Sequence, residues 1–153
     1  MDVRMSFGRL LALIAVFIGL AQSKAWARED EDLKADLRKL QGKWEYTFRD
    51  NKGNAIIRKV GEFKGETETV VWYLPDGRIY QVNRVDINLE KQGKDRILTY
   101  SNWKFLEGPE RGKEIPGRIG SFVYRIEGDI WTTVLETGTD EIQWKRVKEK
   151  KQD

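Results

Sequence analysis

From Gly42 onward, apolar and polar residues alternate along the chain, and turn sequences recur about every ten residues. Apolar side chains occupy every second position in residues 44–48 and again in residues 85–89. A period of two places successive side chains on opposite faces of a β-strand. Pro75-Asp76-Gly77 is a typical turn sequence, because Pro presets φ and Gly accepts positive φ. The pattern predicts an all-β fold of antiparallel strands that follow one another in sequence.

About eight such strands fit into residues 42–147. We predict them at residues 43–49, 55–63, 67–74, 78–89, 96–105, 118–126, 129–136 and 141–147. The short connections favour an antiparallel up-and-down β-barrel, because closing the sheet removes its exposed edges. A β-sandwich is the alternative. The fourth strand changes phase near Asn83, which predicts a bulge or bend there.

One short amphipathic helix is predicted before the barrel, over residues 28–41. Three leucines recur in it at i, i+4 and i+7 with charged residues between them, namely Leu33, Leu37 and Leu40. This spacing places one apolar stripe on a helix. Gly42 ends the helix, and residues 148–153 form a charged tail after the last strand.

The first 27 residues have the three parts of a cleavable secretory signal peptide. Arg4 and Arg9 give a basic start. The apolar run Leu10–Ala21 is too short to span a bilayer, and Ala25-Trp26-Ala27 places small residues at the cleavage positions. We therefore expect cleavage after Ala27 and a secreted or periplasmic product. The chain contains no Cys for a lipid anchor, so we expect no stable membrane attachment after cleavage.

The absence of His and Cys excludes most hydrolytic chemistry. The chain cannot form a Ser-His-Asp triad, a thiol nucleophile, an imidazole metal site or a disulfide. Carboxylates that could act as a pair on envelope polysaccharide are Asp86, Glu107, Glu136 and Glu141. None of them is distinguished by its spacing. We expect no enzymatic activity, no metal and no cofactor, and an acid/base enzyme is the least favoured alternative.

The basic charge of the chain belongs mostly to the signal peptide. Cleavage removes three basic residues and one acidic residue, Asp2, so the net charge falls from +3 to +1. A domain of nearly neutral charge gives no electrostatic reason to bind nucleic acid. We expect a monomer that does not bind nucleic acid.

Several short motifs resemble a known family. Leu40-Gln41-Gly42-Lys43-Trp44 resembles the Gly-x-Trp opening of lipocalins and related calycin barrels, and Trp144-Lys145-Arg146 resembles the basic position that packs over this Trp. More closely, Leu33–Val147 is similar to an uncharacterised lipocalin-like domain of planctomycetes, also through Glu107–Lys113 and Tyr124–Asp129. The resemblance implies a lipocalin-like barrel and an exported or envelope location. It implies no activity.

Gly42, Trp44 and Arg146 are predicted to form a structural motif. Gly42 allows a sharp turn from helix to strand. The Trp44 side chain can close one end of the barrel while the Arg146 guanidinium stacks on its face. We assign this motif to the fold and not to ligand binding.

A barrel of eight strands has room inside for side chains or for one small ligand. Trp103 is predicted to share a strand face with Thr99 and Ser101, with Tyr100 on the opposite face. A mixed polar and aromatic wall is typical of ligand pockets. The candidate binding residues are Trp103, Thr99, Ser101, Tyr100 and Trp131. The expected ligand is a small, partly apolar or sugar-like molecule, and the alternative is a structural or protein-interaction domain whose barrel is filled by its own side chains.

N-terminal sequencing of the exported protein tests the signal peptide. Because the small residues Ala25 and Ala27 direct cleavage, the mature chain is expected to begin at Arg28. A mature chain that begins at Met1 would contradict the prediction.

Overall fold

The computed structural model describes residues 30–135, 138 and 140–148. The predicted signal peptide and residues 149–153 of the predicted tail lie outside the described residues. One helix, α1, covers residues 30–40, and its residues 36–40 belong to the same compact unit as the strands. Within the described part of the chain, no helix has the length and hydropathy needed to cross a membrane.

Eight strands are described after α1, and all of them belong to one compact unit, Asp36–Asp153. They are β1 Gly42–Arg49, β2 Ala55–Lys64, β3 Thr67–Tyr73, β4 Ile79–Gln92, β5 Asp95–Glu107, β6 Glu114–Glu127, β7 Ile130–Leu135 and β8 Glu141–Arg146. Each strand pairs antiparallel with the next, and β8 pairs with β1 to close the barrel. The prediction of an up-and-down barrel preceded by a short helix is confirmed, and the β-sandwich alternative is wrong. The predicted bulge near Asn83 is also confirmed, because the β4–β5 register shifts between Val82 and Asn83.

The end of the barrel next to α1 is closed by Trp44 and Arg146. Trp44 is fully buried, and its indole Nε1 donates a hydrogen bond to the Leu40 carbonyl oxygen at 2.7 Å. The Arg146 guanidinium carbon lies 4.1 Å from the centroid of the Trp44 ring. Its two terminal nitrogens donate to the carbonyl oxygens of Gln41 and Lys39. The last carbonyl groups of a helix lack partners within the helix. Arg146 donates to two carbonyl oxygens at this end and at the same time covers the Trp44 ring.

Gly42 makes the turn between α1 and β1. Its φ of +100° lies in a region that residues with a Cβ atom rarely adopt. The chain can therefore leave the helix and enter β1 without an intervening loop, which keeps Trp44 within reach of the Leu40 carbonyl oxygen.

A buried polar group also ties the last turn of α1 to the barrel. The Asp36 side chain is buried, and its Oδ2 accepts a hydrogen bond from the Tyr124 hydroxyl of β6 at 3.1 Å. The same oxygen pairs with the Arg96 guanidinium of β5. The carboxylate is thus satisfied by two strands, which offsets the cost of burying its charge.

Aromatic rings fill the half of the barrel next to α1. The centroid of the Trp131 ring lies 6.1 Å from that of Trp44, 5.2 Å from that of Phe63 and 5.1 Å from that of Trp144. These tilted and edge-to-face contacts are the favourable geometries for aromatic pairs. Leu40, Ile87, Leu98 and Tyr124 complete this core.

Replacement of Trp44 by Ala tests the closed end. Loss of a fully buried indole should lower the free energy of unfolding by about 3–5 kcal/mol, measured by urea unfolding. Phe48→Ala is the matched control, since Phe48 lies on the same strand but its side chain is 51% exposed. A change of less than about 1 kcal/mol in both variants would show that Trp44 does not hold the core together.

Candidate functional site

The half of the barrel away from α1 contains a cavity of about 270 Å³. Trp131 and Trp144 separate it from the aromatic core, because both belong to the core and both line the cavity. Six aromatic side chains line the cavity, namely Trp72, Tyr100, Trp103, Phe122, Trp131 and Trp144. Its polar side chains are those of Lys59, Glu68 and Thr133. The barrel interior is therefore packed in one half and contains a cavity in the other.

An irregularity in β5 decides which predicted residues reach the cavity. The β5–β6 register shifts on both sides of Ser101, and Asn102 has a φ of +53°. Asn tolerates this left-handed conformation better than most residues. The shift brings Trp103 to the side of the strand that carries Tyr100, so both side chains line the cavity. The prediction that Trp103 shares a face with Thr99 and Ser101 is wrong.

Three of the five predicted binding residues line the cavity, and two lie elsewhere. Trp103, Tyr100 and Trp131 are part of its wall. The Thr99 hydroxyl instead lies 3.2 Å from the Ser121 hydroxyl oxygen and donates to Glu90. Ser101 is half-buried on β5 outside the described cavity wall.

Glu68 is the most unusual side chain of the cavity. It lies on β3, only 1% of it is exposed, and neither carboxylate oxygen makes a well-formed hydrogen bond among the described residues, although the Tyr100 hydroxyl is near enough to favour its charged form. Gly61 on β2 makes room for it, because a Cβ atom at position 61 would overlap the Glu68 Oε1 atom. An unpaired buried carboxylate is costly for a folded protein. A site that maintains such a group is a candidate for ligand binding.

Burial raises the pKa of the Glu68 carboxyl group from 4.5 to about 7. The Tyr100 hydroxyl and the Lys59 charge act in the opposite direction, but burial outweighs them. Burial likewise lowers the pKa of Lys59, and burial together with the Glu68 charge raises the pKa of Tyr100. The carboxyl group therefore changes its charge near neutral pH, in contact with the cavity.

Four tryptophans of the cavity wall share a second unusual property. The indole Nε1 atoms of Trp72, Trp103, Trp131 and Trp144 are buried and have no hydrogen-bond partner among the described residues. Trp44 differs from them, since its indole nitrogen donates to the Leu40 carbonyl oxygen. A buried polar group without a partner costs about 1–3 kcal/mol. The wall thus combines unused donors with the unused acceptor oxygens of Glu68.

The other carboxylates weighed in the sequence do not share these properties. Asp86 lies beside Glu114 in a surface depression of about 230 Å³, where Asp86 accepts a hydrogen bond from Asn102 and Glu114 pairs with Lys104. Glu141 is ion-paired with Arg125 at 3.0 Å. The ion pairs Glu114–Lys104 and Glu141–Arg125 both lie at the surface. Glu107 is exposed, and Glu136 lies outside the described residues. Among the described residues, no group of three or more potential metal ligands comes together.

Sequence analysis missed Glu68, Lys59 and Gly61, although a pattern was available. Glu68 lies in phase with Val70 and Trp72, so a charged residue occupies an inward position of β3. Inward charges in a strand whose other inward residues are apolar are rare.

Comparisons of this chain with protein-family models, with curated proteins and with solved structures found no match. The resemblance to the planctomycete lipocalin-like domain therefore stays a prediction.

The pH dependence of stability tests the state of Glu68. The folded protein retains the carboxyl proton up to about pH 7, whereas an unfolded chain releases it near pH 4.5. The folded state binds more protons within this window, so the free energy of unfolding should fall as the pH rises, by about 3 kcal/mol in total. Urea unfolding between about pH 5 and about pH 8 measures this loss.

Glu68→Gln should remove the loss, because the amide does not ionise. The matched control is Glu66→Gln, which changes an exposed side chain in the neighbouring turn and should keep the wild-type pH dependence. Equal pH dependence in the wild type and in Glu68→Gln would show that Glu68 does not titrate in this window.

Proposed function

We propose that this chain is an exported, non-enzymatic binding protein that holds one small, mostly apolar molecule in the cavity of its barrel. The observation that carries the proposal is the set of buried polar atoms in the cavity wall without partners. These are the two oxygens of Glu68 and four indole nitrogens. A ligand in the cavity buries the aromatic wall, and it can satisfy some of these atoms once their side chains turn toward it.

The volume of the cavity limits the size of the ligand. A cavity of about 150 Å³ holds one benzene molecule. A cavity of about 270 Å³ therefore suits a molecule of roughly ten to twelve non-hydrogen atoms. The predominance of aromatic side chains favours an apolar body, and the few polar groups favour one polar end.

The proposed location outside the cytoplasm rests on residues 1–27. Their basic start, short apolar run and Ala-Trp-Ala end are typical of a secretory signal peptide. The proposal therefore concerns a protein that encounters its ligand in the periplasm or outside the cell.

A structural domain with a filled barrel is the second candidate. The cavity volume is slightly below the roughly 300 Å³ at which ligand pockets begin, and aromatic rings already pack the other half of the interior. A direct binding measurement separates the two candidates.

Calorimetric titration with 4-phenylbutanol provides this measurement. The alcohol has eleven non-hydrogen atoms, and we expect a Kd of about 0.1 mM or lower. Gly120→Leu should weaken binding more than about tenfold, because Gly120 lines the cavity and a Cβ atom there meets open space. The added side chain should leave the melting temperature unchanged or raise it.

Ser101→Leu is the control, since it adds similar bulk to β5 outside the described cavity wall. It should bind the alcohol like the wild type. Absence of binding to the wild-type protein, or undiminished binding to Gly120→Leu, would reject the cavity as the binding site and favour the filled barrel.

A further inference from the structure

We propose that the ligand is an amine whose protonated nitrogen pairs with the Glu68 carboxylate while its aryl or short alkyl body contacts the aromatic wall. This inference rests on the proposed function, because it identifies the class of molecule that the cavity takes.

The position of Glu68 is the first argument. Its backbone is held between two strands, opposite Phe63 of β2 and Val85 of β4. The side chain occupies the space that Gly61 leaves free. The carboxylate is therefore buried beside the cavity before a ligand arrives, and a water-excluded charge attracts an opposite charge more strongly than one in solvent.

The lack of a direct ion pair is the second argument. The Lys59 charge and the Tyr100 hydroxyl lie near enough to favour the ionised carboxylate, but neither Glu68 oxygen makes a hydrogen bond among the described residues. The Lys59 Nζ atom lies instead over the ring of Trp72, 3.9 Å from its centroid. A ligand ammonium can donate to the carboxylate oxygens without displacing an existing ion pair.

The aromatic wall is the third argument. The faces of Trp and Tyr rings attract cations, and this attraction increases where water is excluded. The Lys59 ammonium already makes such a contact with Trp72 within this wall. Rings of Tyr100, Trp103 and Trp131 line the same cavity as Glu68. The Glu68 charge and the ring faces thus favour an ammonium group beside Glu68, whereas burial disfavours it, as it does for Lys59.

An anionic ligand suits the cavity less well. A carboxylate in the same space would lie near the Glu68 carboxylate, and like charges in a desolvated site repel each other. Only Lys59 and the unpaired indole nitrogens would favour it. The anion is therefore the alternative that the experiment must separate.

Three ligands with the same phenylbutyl body test the proposal by calorimetric titration at about pH 8, where Glu68 is ionised. They are 4-phenylbutylamine, 4-phenylbutanol and 4-phenylbutyrate. We expect the amine to bind at least about tenfold more tightly than the alcohol, and the alcohol more tightly than the anion. Below about pH 7 the amine affinity should fall about tenfold per pH unit, because Glu68 gains a proton while an alkylamine stays protonated. The other titratable groups that face Glu68 are Lys59 of β2, whose pKa is lowered by burial, and Tyr100 of β5, whose pKa is raised by burial and by the Glu68 charge.

Two variants assign the effect to Glu68. Glu68→Gln should bring the amine affinity down to that of the alcohol and leave the alcohol affinity within about twofold of the wild-type value. Gly61→Ala retains the glutamate but displaces its carboxylate, so it should weaken the amine selectively. Thr133→Val is the control, because it removes a neutral hydroxyl group from the same wall and should keep the preference for the amine.

The outcomes that overturn the inference differ from those that overturn the proposed function. If the alcohol binds in the cavity and the amine binds no more tightly, or if the anion binds most tightly, the amine is rejected and ligand binding stands. Undiminished amine binding to Glu68→Gln also rejects it. If none of the three ligands binds to the wild-type protein, the proposed function fails, and the inference fails with it.

Discussion

Closure of the barrel depends on the contact between Arg146 and Trp44. The β1–β8 ladder is short, with the register pairs Trp44–Arg146 and Glu45–Lys145, whereas its neighbours β1–β2 and β7–β8 are longer. The Arg146 side chain adds to this ladder by covering the Trp44 ring and by donating hydrogen bonds to the carbonyl oxygens of Lys39 and Gln41. Its Nε atom also pairs with Asp129 at 3.4 Å. The first and last strands and the end of α1 thus meet at one guanidinium group. Planar stacking combined with several directed N–H groups is a property of Arg that Lys does not share.

The two halves of the barrel differ in how completely their buried polar groups are hydrogen-bonded. Next to α1, the Asp36 carboxylate has partners on two strands, and the Trp44 nitrogen donates to a carbonyl oxygen. In the cavity wall, the two oxygens of Glu68 and four indole nitrogens make no hydrogen bond among the described residues, and neither does the Asn83 Nδ2 atom, which lies outside that wall. Folding favours complete pairing of buried polar groups. Six of the seven unpaired side-chain atoms among the described residues therefore belong to residues of the cavity wall, where stability is given up locally.

The sequence predicts the barrel well because its strands and turns are set by local patterns. Alternation in β1 and β4, the turn sequences and the phase change near Asn83 each depend on a few neighbouring residues. The cavity depends on long-range geometry. The irregularity of β5 at Asn102 cannot be recognised in the sequence, because it lies in a polar stretch. The sequence therefore predicts the wrong strand face for Trp103. Trp131 lies in the cavity wall, and its predicted role in binding stays a prediction. Nothing local reveals that Gly61 and Glu68 from different strands share one space.

The Glu68 carboxyl group would link the stability of the protein to the proposed amine. Glu68 loses its proton as the pH rises toward and above 7, and the buried charge then destabilises the empty barrel. The proposed amine would bind the charged form of this group, so its binding would add most stability at the pH at which the empty protein has lost it. As the pH rises, the stability of the empty protein falls, whereas the stabilisation by a bound amine increases. Both effects follow from one buried charge, without a counter-ion in the first case and with one in the second. A filled barrel without a ligand would retain only the first of them, because nothing in its interior would pair with Glu68.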